Sequence, residues 1–101
     1  MTAVVALYKF LVYFSLVSPV STATEVSGIV LDKNSHQPVP NVYIYTIKGE
    51  EETLSRENGS FKLLSWEKLP VTVSFEKKGY KPARITINKD QKNKQIVLES
   101  Y

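Results

Sequence analysis

The sequence predicts an all-β domain built as a sandwich or barrel. Three observations carry that reading. Apolar residues alternate with polar ones over short runs, as in Val71-Thr72-Val73-Ser74-Phe75-Glu76. Turn signals separate the runs: Asp32 to His36, Lys48-Gly49, Asn58-Gly59, and Lys77 to Pro82. No segment between neighbouring runs is long enough for a helix, apart from about half a turn near Trp66.

The chain has 101 residues, which suits one domain. A hydrophobic share of 43% is enough for a packed core. Net charge is +3, from 13 basic and 10 acidic residues spread over several segments, so no nucleic-acid patch is indicated. Cysteine is absent. That excludes disulfides, thiol chemistry and the lipid-bearing cysteine of a lipoprotein signal.

Residues 1–23 differ from the rest. They hold one basic residue, Lys9, and no acidic one. An apolar run, Phe10 to Val17, follows Lys9, and Ser21-Thr22-Ala23 ends the segment with small residues. A charge, a short apolar run and a small-x-small exit predict a secretory signal peptide cut after Ala23. The competing reading is a retained anchor. A span takes about 20 apolar residues, and Lys9 would sit near the middle of one drawn from Thr2 to Val20. Cleavage leaves residues 24–101 as the working domain and no stable membrane insertion.

Seven short strands follow. Glu25 to Asp32 is β-branched, with Val26, Gly28 and Val30 on one face and Ser27, Ile29 and Leu31 on the other. Pro38 and Pro40 mark the entry to Val42–Ile47, where Val42 and Ile44 alternate with Tyr43 and Tyr45. Glu52 to Arg56 reads as a charged edge strand. Asn58-Gly59 predicts a tight hairpin into Ser60–Leu64. Val71–Glu76, Ala83–Asn88 and Gln95–Glu99 complete the set, with Lys89 to Lys94 as a polar loop. The expected inward residues are Val30, Val42, Ile44, Phe61, Leu63, Val71, Val73, Phe75, Ile85, Ile87, Ile96 and Leu98.

Chemistry is hard to place on this chain. His36 is the only histidine and lies in a polar turn, which does not suit a zinc peptidase site; it would also have to serve as base of a serine triad, and no serine sits in a Gly-x-Ser-x-Gly context. Glu50, Glu51 and Glu52 read as a solvated guard on an edge. Asp32 and Asn34 with Glu57 and Asn58 supply oxygen ligands for calcium if their loops meet, but Asx turns explain them equally well. The chain is therefore expected to be no enzyme, with no cofactor and no metal. Aromatic residues are the better lead. Tyr43, Tyr45, Trp66 and Tyr80 are the candidate binding residues, for a protein partner or a sugar ring. The basic turn Lys77 to Lys81 is expected to be solvated.

Four stretches in order carry a resemblance. They are Val26 to Asp32, Gln37 to Ile44, Asn58 to Leu63, and Val73-Ser74-Phe75 with Gly79-Tyr80. Together they resemble the carboxypeptidase-regulatory-like domain, whose pattern runs Gly-x-Val-x-Asp, Pro-Leu-Pro-Gly-Ala-x-Val, Asp-Gly-x-Phe-x-Leu and Gly-Tyr. This chain departs from it with Val39 for Leu, Asn41 for Gly and Asn58 for Asp. The resemblance covers residues 25 to 99. It implies a seven-stranded antiparallel β-sandwich, transthyretin-like or Ig-like. It also implies a non-enzymatic accessory domain similar to the N-terminus of Bacteroidetes TonB-dependent outer-membrane receptors, periplasmic, outer-membrane associated or extracellular, meeting a protein partner in the cell envelope. A carbohydrate- or ligand-binding module and a truncated receptor fragment are the alternatives.

Overall fold

The computed structural model describes residues 23–101; the signal-peptide reading lies outside them. Seven strands form two sheets, and no helix occurs among the described residues. They are β1 (Thr24–Asp32), β2 (Tyr43–Ile47), β3 (Glu51–Leu54), β4 (Ser60–Ser65), β5 (Val71–Glu76), β6 (Ala83–Ile87) and β7 (Gln91–Leu98). One sheet runs β4-β1-β7 and the other β3-β2-β5-β6.

The core lies between the sheets. Val26, Val30, Phe61, Leu63, Ile96 and Leu98 face in from one, and Ile44, Val71, Val73, Phe75 and Ile87 from the other. Phe61 meets Phe75 edge-to-face, with ring centroids 5.5 Å apart. Burying each such side chain stabilises the fold by roughly 1.5–3 kcal/mol. Val26 and Val39 join the predicted set. Ile85 is a correction: it is only partly buried, because β6 is an edge strand.

The remaining differences are in pairing. Every strand pair is antiparallel except β1 with β7, which run parallel. The expected polar loop at residues 89–94 is shorter, because β7 already pairs at Gln91. The register slips between Val26 and Gly28, and Asn93 takes a φ of 57° there. Gly28 is required at this point. A Cβ there would lie 1.7 Å from the Lys94 carbonyl oxygen.

Asn58-Gly59 does not close a hairpin within one sheet. It carries the chain from β3 to β4, which belong to different sheets. Only Gly59 has positive φ, at 80°, and its N–H bonds the Arg56 carbonyl. Asn58 instead accepts hydrogen bonds from the backbone N–H and the hydroxyl of Ser60. The hairpins within a sheet are β2–β3, turned at Gly49 with φ 81°, and β5–β6, joined through Gly79.

The proline-marked entry crosses between the sheets. Val39 N–H bonds Val30 on β1, and Asn41 N–H bonds the Ser55 carbonyl. Asn41 has φ 58°, a left-handed conformation that asparagine tolerates, which explains how it replaces the family's glycine. Buried Ser55 locks the crossing. Its hydroxyl donates to Val39 O and accepts from Val42 N, both at 2.8 Å.

Candidate interaction site

The outer face of the four-stranded sheet carries Tyr43 and Tyr45. Inward Ile44 separates them along β2, so strand alternation sends both rings outward. Their centroids lie 4.9 Å apart at 31°. Each hydroxyl reaches diagonally to a carboxylate on a neighbouring strand: Tyr43 to Glu52 on β3, and Tyr45 to Glu76 on β5. Lys48 Nζ sits 5.2 Å from the Tyr45 ring centre. The bond to Glu52 raises the Tyr43 pKa, and the same bond lowers that of Glu52.

Tyr80 is set by a different mechanism. Lys77 to Tyr80 forms a turn, with Tyr80 N–H bonding the Lys77 carbonyl at 3.0 Å and Gly79 at φ 90°. The Tyr80 hydroxyl donates to Asp32 Oδ2 at 2.7 Å. Asp32 Oδ1 accepts the N–H groups of Asn34 and Ser35 at 2.8 and 2.9 Å. The Ser35 N–H, the Tyr80 hydroxyl and the Asn34 N–H together hold the Asp32 pKa down to about 2. Lys77 Nζ ties the turn to the Pro40 carbonyl at 2.7 Å.

These elements enclose an open groove of about 450 Å³. Tyr43 and Glu76 form one wall, and Lys77, Tyr80, Pro82 and Tyr101 line the rest. The end of the chain is held against it, since Tyr101 N–H bonds Gly79 O and Lys81 N–H bonds Glu99 O. Tyr101 is 83% exposed. Aromatic faces beside Glu76 and Lys77 can make apolar and charge-assisted contacts together.

Of the four candidate residues, the groove unites Tyr43 and Tyr80, and Tyr45 adjoins Tyr43 on the same face. Trp66 stands apart. Its backbone N–H bonds Glu51, which pairs with Ile47 at the opposite end of β2 from Tyr43. Tyr101 is the groove residue that sequence reasoning missed. Tyr101 lies beyond the last strand, outside its alternation, and only the pairing of residues 79–81 with 99–101 brings it in.

Asp32 serves Tyr80 and its own turn. Asn58 is engaged by Ser60, and among the described residues no three His, Cys, Asp or Glu side chains converge as a metal site would require. His36 is exposed in the β1–β2 turn, at φ 61°.

Solved structures share the sandwich. A chain from a type II cohesin–X–dockerin complex of Acetivibrio cellulolyticus, an N-terminal interface mutant, matches at TM-score 0.61 and 15% identity. The match covers 76% of this chain and 58% of that one. The C-terminal interface mutant of the same complex matches at TM-score 0.59 and 16% identity, over 74% and 56%. A streptococcal ancillary pilin reaches TM-score 0.49 at 14% identity, over 80% and 30%. This chain thus spans less than two thirds of those chains, and at such identities the likeness concerns fold alone. No curated protein matches the sequence. The family model of the CarboxypepD_reg-like domain matches residues 26–101, and the chain belongs to that family.

Proposed function

We propose that this sandwich is a non-enzymatic, exported module of the cell envelope that acts by binding a protein. The groove of Tyr43, Tyr80 and Tyr101 carries this reading. Asp32 holds Tyr80 and Glu52 holds Tyr43, so those two rings lose little side-chain freedom when a partner docks. The family assignment supports it. So does the likeness to chains whose structures were solved in a cohesin–X–dockerin complex. The receptor-like context and the location belong to the same proposal. So do the cut after Ala23 and the role of Tyr43, Tyr45, Trp66 and Tyr80 as binding residues.

A photo-crosslinking amino acid at position 43 or 101 tests it in the native envelope, with position 62 on the outer face of β4 as control. The expected result is one discrete adduct from the groove positions and none from position 62. Identical adducts from all three, or none, would overturn the reading. Mass measurement of the protein from cell fractions tests export. A periplasmic or released species starting at Thr24 supports it, and a full-length species in the inner membrane replaces it with a tethered module.

A further inference from the structure

The four edges of the two sheets are not alike. β3 has four residues and carries Glu51 and Glu52. Glu51 reaches across to Ser65 Oγ and Trp66 N, both at 2.7 Å, so β3 and β4 close one side of the sandwich together. On the other side, β7 is kinked by its register slip at Asn93 and carries Lys92 and Lys94. Bulges and lysines are the usual protections of an edge strand.

β6 has neither protection in full. All five of its residues pair with β5 in unbroken register, so its ladder is regular. No strand pairs with its outer side. Just before it, Lys81 N–H bonds Glu99 O, and Tyr80 bridges Ser100. Beyond Pro82, which has no N–H to donate, β6 and β7 go to separate sheets. Ile85 is left half-covered beside this opening.

Charge indicates what fits there. Residues 83–98 hold Arg84, Lys89, Lys92 and Lys94 against one carboxylate, Asp90, which accepts the Glu25 N–H. None of those four cations has an ion pair among the described residues, whereas Lys33 and Lys81 share Glu99. A second copy of this chain fits poorly. Antiparallel self-pairing centred on Ile85 brings Lys81 of one copy to Lys89 of the other. Centring on Arg84 sets that residue against itself, and centring on Thr86 would set Lys89 of one copy opposite Ala83 of the other, on the side of Ile85.

We propose that the free edge of β6 receives an extended, acidic segment of a partner protein as an added strand. Its backbone would pair with β6, apolar side chains would cover Ile85, and a carboxylate would meet Arg84. This surface is separate from the Tyr43–Tyr101 groove, so either proposal can fail without the other.

The test uses isotope-labelled protein and a peptide of roughly eight residues alternating glutamate with valine. A lysine–valine peptide and a single-stranded oligonucleotide serve as controls. Amide shifts centred on residues 83–87 are expected from the acidic peptide alone. Arg84→Glu should weaken it about tenfold and admit the lysine peptide instead. Four outcomes overturn the proposal: no shifts on β6, shifts centred on Tyr80 and Tyr101, equal shifts from the oligonucleotide, or concentration-dependent self-association through β6.

Discussion

The two long sides of this sandwich solve the same problem differently. On the β3–β4 side, a carboxylate crosses between the sheets. Glu51 accepts hydrogen bonds from Thr46, Ser65 and the Trp66 N–H, which ties the β3 edge to the end of β4. On the β6–β7 side, backbone bonds between residues 79–81 and 99–101 and the Lys81–Glu99 ion pair make the link at one end, and Asp90 accepts the Glu25 N–H in the loop at the other; between them β6 and β7 run in separate sheets. A small domain has limited apolar area to close every side. One side closed by polar bonds leaves the other free to meet a partner.

The largest expected effect breaks the open side at its root. Gly28→Val drives a side chain into the Lys94 carbonyl, so β7 must leave β1. A loss above about 4 kcal/mol is expected, read as a collapsed urea midpoint. A near-native midpoint would show that β7 pairing can shift at no cost.

Next comes the closed side. Glu51→Ala leaves the buried hydroxyl of Ser65 without its acceptor and should cost about 1–3 kcal/mol. Hydrogen exchange should quicken at Trp66 and not at Lys81. Equal quickening at both would mean the two sides are not independent.

Ile85 sharpens the contrast further. Ile44 is fully buried, and Ile44→Ala should cost about 2–5 kcal/mol. Ile85→Ala, beside the open edge, should cost no more than about 1 kcal/mol. Similar losses would mean that β6 is better covered than its position suggests.

The smallest effect concerns acid. Asp32 has its pKa lowered to about 2 from 3.8, so the folded state binds its proton later than the unfolded chain. Its contribution is whole above the unfolded value and drains as pH falls toward 2. Asp32→Asn should flatten part of the acid limb of a melting-temperature-against-pH curve and loosen Tyr80. Glu51 pulls the same way. Burial, its largest influence, raises its pKa, but the bonds from Thr46, Trp66 and Ser65 together lower it. An Asp32→Asn curve parallel to wild type below pH 4 would count against this role.

Much of the core was legible because strand alternation is local. Val71, Val73 and Phe75 declare their face with no knowledge of the partner sheet. Val26 was harder, since β1 is apolar on both faces and only its central place between β4 and β7 tells them apart. Val39 sits between two prolines, where no period exists. In the groove, Tyr43 and Tyr80 stood out by residue type. Joining them required Asp32 to hold Tyr80 across 48 positions of chain.

By itself, the sequence determined the all-β class, the places of four turns, the alternating core and the presence of a single histidine. These follow from residue type and short-range spacing. Only the tertiary structure decided that β7 lies parallel to β1, that Asn58-Gly59 links two sheets, that Trp66 and Tyr43 sit at opposite ends of β2, and that one edge stays open. Each of these depends on which distant segments meet. Backbone hydrogen bonding is nearly indifferent to side-chain identity, so local spacing does not encode the choice.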